Sequence, residues 1–145
     1  MSESPRISAA QFEQLINETI PLSRTMPFSV VSLAWGEAVV RLGYTEAQLR
    51  AGGTLNGPTM MTLADTALYA AVLTRIGFEP LAVTSDLNIR FLRKPEPRAL
   101  VAHAKILRSG KRLAVGSIDI ASEGETPGSL GPQLVAHATG TYALP

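Results

Sequence analysis

Apolar residues recur at helical spacing in two stretches of the chain and alternate with polar ones in six others. In residues 8–20, Phe12, Leu15, Ile16 and Thr19 share one face, Ser8 is a good N-cap and Pro21 ends the run, which predicts a short amphipathic helix. Residues 57–76 behave differently. There Met60, Met61, Leu63, Ala64, Ala67, Leu68, Ala70, Ala71, Val72, Leu73 and Ile76 cover nearly the whole circumference, and Gly77 stands where a helix closes. A helix that is apolar on almost every side has to be buried. Alternating runs predict strands at 28–35 and 38–42, joined by a turn at Gly36-Glu37, and at 82–93, 100–108, 112–121 and 133–142. Ser109-Gly110-Lys111 reads as a tight turn, and residues 123–132, rich in Gly, Pro and Ser, as an excursion between the last two strands. This order of elements gives an α+β fold whose antiparallel sheet is most simply wrapped around the long helix.

A chain of 145 residues suits one domain, taken as 1–145, with 1–24 as N-terminal helix and lead-in and 57–76 as the central helix. It contains no cysteine, which removes disulfides, thiolate nucleophiles, zinc fingers and iron–sulfur ligation together. The two histidines, His103 and His137, alternate with alanines in strands and read as packing residues, so no metal site is expected. The longest apolar run, 67–73, is far short of the roughly 20 residues that span a bilayer. The first residues show no basic stretch followed by an apolar one, and the protein is expected to be cytoplasmic, away from membranes.

The net charge of +1 conceals an asymmetry. Arg90, Arg93, Lys94, Arg98, Lys105, Arg108, Lys111 and Arg112 fall within 23 residues that hold a single acid, Glu96. Such a segment suggests an anionic partner. With only eight aromatic residues in the chain and none interleaved at the basic turn, a nucleic-acid stacking platform is not expected, and a small polyphosphate ligand fits better.

Asp65 is the most informative residue, because it lies mid-way along the apolar helix. A carboxylate there either faces a wet cleft or lies on an exposed polar stripe with Thr59, Thr62, Thr66 and Tyr69. At the helix start, Asn56 is a cap, Pro58 suits the first turn, and Gly57 presents an amide that no side chain covers. That amide is either part of an ordinary helix start or a donor to a developing oxyanion. Gly57 and Asp65 are eight residues apart, about 12 Å along a helix. Two groups acting on one carbon must each lie within roughly 3–4 Å of it or of the attacking water. One copy of the helix cannot supply both, so if both act, a second chain contributes one of them. Strand 83–91 alternates, with Val83, Ser85, Leu87, Ile89 and Phe91 on one face and Thr84, Asp86, Asn88 and Arg90 on the other. Either Thr84 or Ser85 is placed to hold a water. The chain has no G-x-S-x-G elbow, P-loop, G-x-G-x-x-G turn or H-E-x-x-H motif, which removes the main support for serine hydrolases, NTPases, dinucleotide enzymes and zincins.

The stretch Gly53-Thr54-Leu55-Asn56-Gly57-Pro58 through Leu63-Ala64-Asp65-Thr66-Ala67 resembles the G-T-x-H-G-G-x-x-x-x-L-x-D-x-A segment of hotdog-fold acyl-CoA thioesterases of the phenylacetate-degradation, PaaI-like type. Residues 84–95 resemble the next strand of that family, Gly110 to Ala114 its following hairpin, and Ala138-Thr139-Gly140-Thr141 its final strand. The likeness runs over roughly residues 28–142. It implies a hotdog fold, dimers that commonly pair into tetramers, and metal-free hydrolysis of an acyl-CoA, with coenzyme A present only as part of the substrate. It places the water-activating or nucleophilic carboxylate on Asp65, the oxyanion amide on Gly57 with Asn56 beside it, and the assisting hydroxyl on Thr84.

Three positions depart from the family pattern. Asn56 stands for the usual His, Pro58 for the second Gly, and Arg50 for an Asn often found six residues before that His. Asn56 keeps a side-chain donor, whereas Pro58 has none on its backbone. Met60, Met61, Leu68 and Tyr69 are candidates to line an acyl pocket. Arg50 is a candidate to meet a phosphate or an acidic acyl group, Ser85 to contact substrate, and Arg93, Lys94, Arg108, Lys111 and Arg112 to hold the CoA phosphates. The competing expectation is a hotdog module that binds or senses acyl-CoA without hydrolysing it.

Overall fold

The computed structural model describes residues 3–145. Helix α1 (Ala9–Thr19) is closed at its start by a capping box in which Ser8 and Gln11 satisfy each other's backbone amides. A 3₁₀ turn at Pro21–Arg24 leads into the hairpin β1 (Phe28–Ala34) and β2 (Glu37–Leu42). Its turn uses Gly36 at φ 73°, a left-handed conformation suited to glycine. Helix α2 (Gly57–Ile76) follows and ends where expected, with Gly77 at φ 88°. Four strands complete the chain: β3 (Val83–Phe91), β4 (Leu100–Ser109), β5 (Leu113–Glu123) and β6 (Leu130–Ala143).

These strands form one antiparallel sheet in the order β1-β2-β4-β5-β6-β3, with α2 packed on its inner face. Leu63, Ala64, Ala67, Leu68, Ala70, Ala71 and Leu73 of α2 are completely buried against Val40, Ala102, Ala104, Ile118, Ile120 and Ala136 of the sheet. Small residues let the helix approach closely. Gly116 and Gly140 are cross-strand partners directly beneath Leu68, and a Cβ on either would lie 2.6 or 2.8 Å from its methyl carbons.

The excursion expected over 123–132 is shorter than the sequence implies. Glu123 pairs with Leu130, so both strands run into it and leave a loop of only six residues, 124–129. Glu123 pins that loop: its carboxylate receives Arg41 Nε at 2.7 Å and the Gly128 amide at 2.8 Å, and its carbonyl receives Arg98. The histidines are not core packing residues. They lie half-buried on the outer face of the sheet, His137 Nδ1 2.7 Å from Asp119 and His103 Nε2 3.4 Å from Glu37. Among the described residues, no helix is long and apolar enough to cross a membrane.

Candidate active site

The site begins with an irregularity in β3. Thr84 pairs with Tyr142 but Asp86 pairs with Thr141, so Ser85 is an extra residue in the ladder, a β-bulge. A bulge reverses the alternation of side chains on its two sides. Simple parity puts Thr84 opposite to Leu87, Ile89 and Phe91; the bulge brings it onto their face, the one turned toward α2. Ser85 is left exposed. Thr84 is the residue that reaches the carboxylate, its Oγ1 donating to Asp65 Oδ1 at 2.7 Å.

Asp65 is half-buried, on neither an open polar stripe nor a sealed core position. Thr62 and Thr66, its neighbours in sequence, donate back to Pro58 and Thr62 carbonyls within the helix. A second hydroxyl comes from the last strand: Tyr142 Oη donates to Asp65 Oδ1 at 2.9 Å and lies 3.2 Å from the Asp65 carbonyl oxygen. Tyr142 is 3% exposed. Burial, and after it the negative charge of Asp65, pushes its phenol far above the ordinary tyrosine range, so it stays protonated and donating. The sequence reading missed this residue. Its signal was the strict alternation Ala136, Ala138, Gly140, Tyr142, which puts all four on the helix-facing side of β6.

Gly57 opens α2, and its amide has no acceptor within the helix. It borders a cavity of about 470 Å³ with Arg50, Thr54, Leu55, Met60, Phe91, Leu92, Arg93, Lys94 and Pro95. The Phe91 ring lies against it, so that a Cβ on Gly57 would be 3.3 Å from Phe91 Cζ. Three cations and no acid border this cavity, whose remaining walls are largely apolar. Asn56 caps the helix, its Oδ1 accepting from Thr59 N at 2.8 Å, which leaves the side-chain NH₂ as a donor.

Arg50, Gly57, Met60, Arg93 and Lys94 therefore meet in one place, and Asp65 with Thr84 in another; neither Asp65 nor Thr84 lines the Gly57 cavity. Arg108, Lys111 and Arg112 gather separately at the β4–β5 turn, around a depression of about 430 Å³ that they share with Leu113. Met61 is 40% exposed beside the site, while Leu68 and Tyr69 belong to the core: Leu68 is wedged over the glycine pair, and Tyr69 stacks on Tyr142 with its hydroxyl on the Pro80 carbonyl.

The sequence pattern of the Thioesterase superfamily matches residues 52–129, more than half of the chain and both Gly57 and Asp65. The chain belongs to the thioesterase superfamily. Its fold is the hotdog fold of that superfamily, a sheet curled around one long helix. A thioesterase, so named provisionally, from Silicibacter sp. TM1040 superposes with a TM-score of 0.84 at 37% identity, covering 100% of this chain and 96% of that one. The Escherichia coli PaaI protein from the phenylacetic acid degradation operon gives 0.76 at 25% identity, over 94% and 93% of the two chains. Human acyl-coenzyme A thioesterase 13 is 30% identical over 96 residues, 66% of this chain and 68% of that one. The matched residues of this thioesterase-superfamily chain include the helix start Asn56-Gly57-Pro58, and Arg50 lies just ahead of them.

Proposed function

We propose that the protein hydrolyses an acyl-CoA thioester to the free acid and coenzyme A, at a site shared by two copies of the chain. The observation that carries this reading is the carboxylate of Asp65, held half-buried in an apolar helix by hydroxyl donors, in a chain of this superfamily. Asp65 takes a proton from water, whose oxygen attacks the thioester carbon; the C–S bond then breaks, and the coenzyme A thiolate leaves and is protonated. In the alternative use of the same group, the carboxylate attacks the carbon directly and water then hydrolyses the mixed anhydride. The Gly57 amide, assisted by the helix dipole and the Asn56 side chain, holds the developing oxyanion. Thr84 spends its proton on Asp65 and accepts a hydrogen bond from the water.

The separation of about 12 Å between Gly57 and Asp65 along one helix requires the second copy. The fold leaves a place for it. Strand β3 is at the end of the sheet with one edge unpaired, and exposed apolar residues, Leu81, Val83, Phe91 and Leu92, flank it at both ends. A dimer through this edge, and a tetramer built from two dimers, is the assembly we infer. The cavity cations Arg50, Arg93 and Lys94 meet anionic parts of the substrate, as do Arg108, Lys111 and Arg112 at the hairpin tip.

Release of free thiol from a panel of acyl-CoAs, with the wild type and Asp65→Asn side by side, tests the reading. Turnover that Asp65→Asn abolishes supports it; an equally active variant removes Asp65 from the chemistry. The helix start favours a second reading, since Pro58 offers no backbone donor and Asn56 borders a different depression from the one beside Gly57. Thermal stabilisation by acyl-CoAs with no thiol released from any of them identifies an acyl-CoA-binding module.

A further inference from the structure

We propose that Tyr142 is a positioning residue for Asp65: its hydroxyl and that of Thr84 grip one carboxylate oxygen from the same side and so aim the other at the reacting water. The inference rests on the thioesterase reading above. Both donors fall on Oδ1, at 2.7 Å from Thr84 and 2.9 Å from Tyr142, and neither claims Oδ2. The terminal torsion of an aspartate is soft, with a broad range of angles available. Two donors converging on one oxygen remove that freedom, which a base must lose to attack in a single geometry.

Both donors converge because Thr84 and Tyr142 are direct cross-strand partners, brought to one face by the bulge at Ser85. The phenol is braced in turn. Its ring stacks on Tyr69, with centroids 5.5 Å apart and planes at 11°, and Phe12 of α1 meets Tyr69 edge-on at 5.6 Å. Three rings thus run from the N-terminal helix to the carboxylate. As the water proton passes to Oδ2, Thr84 and Tyr142 keep their own protons and go on donating to Oδ1, so no charge moves through them.

Tyr142→Phe keeps the ring and its stack and removes only the hydroxyl. Two measurements on the purified full-length protein test the role: kcat and KM for an acyl-CoA that the wild type hydrolyses, and a double-mutant cycle of melting temperatures for Tyr142→Phe in the wild-type and Asp65→Ala backgrounds. The expected results are a kcat lowered roughly tenfold at unchanged KM, and a loss of Tm in the wild-type background that shrinks or vanishes in Asp65→Ala, where the phenol has lost its main acceptor. Additive Tm changes overturn the contact. Coupled Tm changes with a normal kcat overturn the positioning role while leaving the thioesterase reading intact. A wild type that releases no thiol from any acyl-CoA overturns that reading, and the positioning role with it.

Discussion

Leu68 occupies the space that a side chain on Gly140 would need, for a Cβ at position 140 lies 2.8 Å from Leu68 Cδ2. It would also lie 3.1 Å from the Asp86 carbonyl oxygen, which is backbone and cannot step aside. Gly140→Ala is therefore expected to destabilise the fold by about 1–3 kcal/mol, the usual cost of overpacking a core. Chemical denaturation measures it. Adding Leu68→Ala relieves part of the strain, so the double variant is less destabilised than the sum of the two single changes.

Asp65→Asn removes the proposed base and keeps the shape. Its kcat should fall by roughly 10² or more, the scale of general-base catalysis. Binding of the product coenzyme A, followed by calorimetry, should be unchanged.

Asn56 caps α2 and is proposed to donate to the oxyanion, and two substitutions separate these roles. Asn56→Ala removes the cap of α2 and should cost about 1 kcal/mol of stability along with activity. Asn56→Asp keeps an acceptor for the Thr59 amide but loses the NH₂ donor, so it should melt near the wild type and still turn over more slowly. Equal activity in Asn56→Asp and the wild type would remove the side chain from oxyanion stabilisation.

Arg50 borders the Gly57 cavity beside Arg93 and Lys94. Arg50→Gln should raise KM for acyl-CoA with little change in kcat. Raising the salt concentration should narrow the difference from the wild type, because the lost attraction is electrostatic and screened.

The Arg41–Glu123 pair makes stability depend on pH. The guanidinium hydrogen bonds, then the Gly128 amide, hold the Glu123 carboxyl below its ordinary value of 4.5. A lowered carboxylate pKa contributes stability that is complete above that ordinary value and is lost as pH falls through the folded one. With Arg41 38% exposed, the contribution is modest. The difference in Tm between the wild type and Glu123→Gln should shrink as pH falls below about 4.5, and a difference constant with pH contradicts the pairing.

Much of this architecture is legible in the chain. The all-round apolar pattern of residues 57–76 demands a helix wrapped by something, and the helix ends are written in Asn56, Pro58 and Gly77. Asp65 stands out because a charge in that pattern needs a reason. The face of Thr84 was not legible, since a bulge is a property of the pairing between strands and leaves no fixed mark in one strand's sequence. Tyr142 escaped for a related reason: a tyrosine at the end of an apolar-alternating strand looks like core until the helix opposite is known to carry a carboxylate. Leu68 and Tyr69 have the spacing of pocket residues, but the glycines of β5 and β6 let the helix sink until both are covered.

The extra residue at position 85 puts the proposed chemistry of this molecule one insertion away from silence. One residue inserted between Thr141 and Tyr142 would give Ser85 a partner, restore even pleating and turn the hydroxyls of Thr84 and Tyr142 outward together. A single insertion in the β3–β6 ladder, with every residue of the helix unchanged, is thus one route by which a hydrolase on this scaffold becomes a silent receptor for the same ligand.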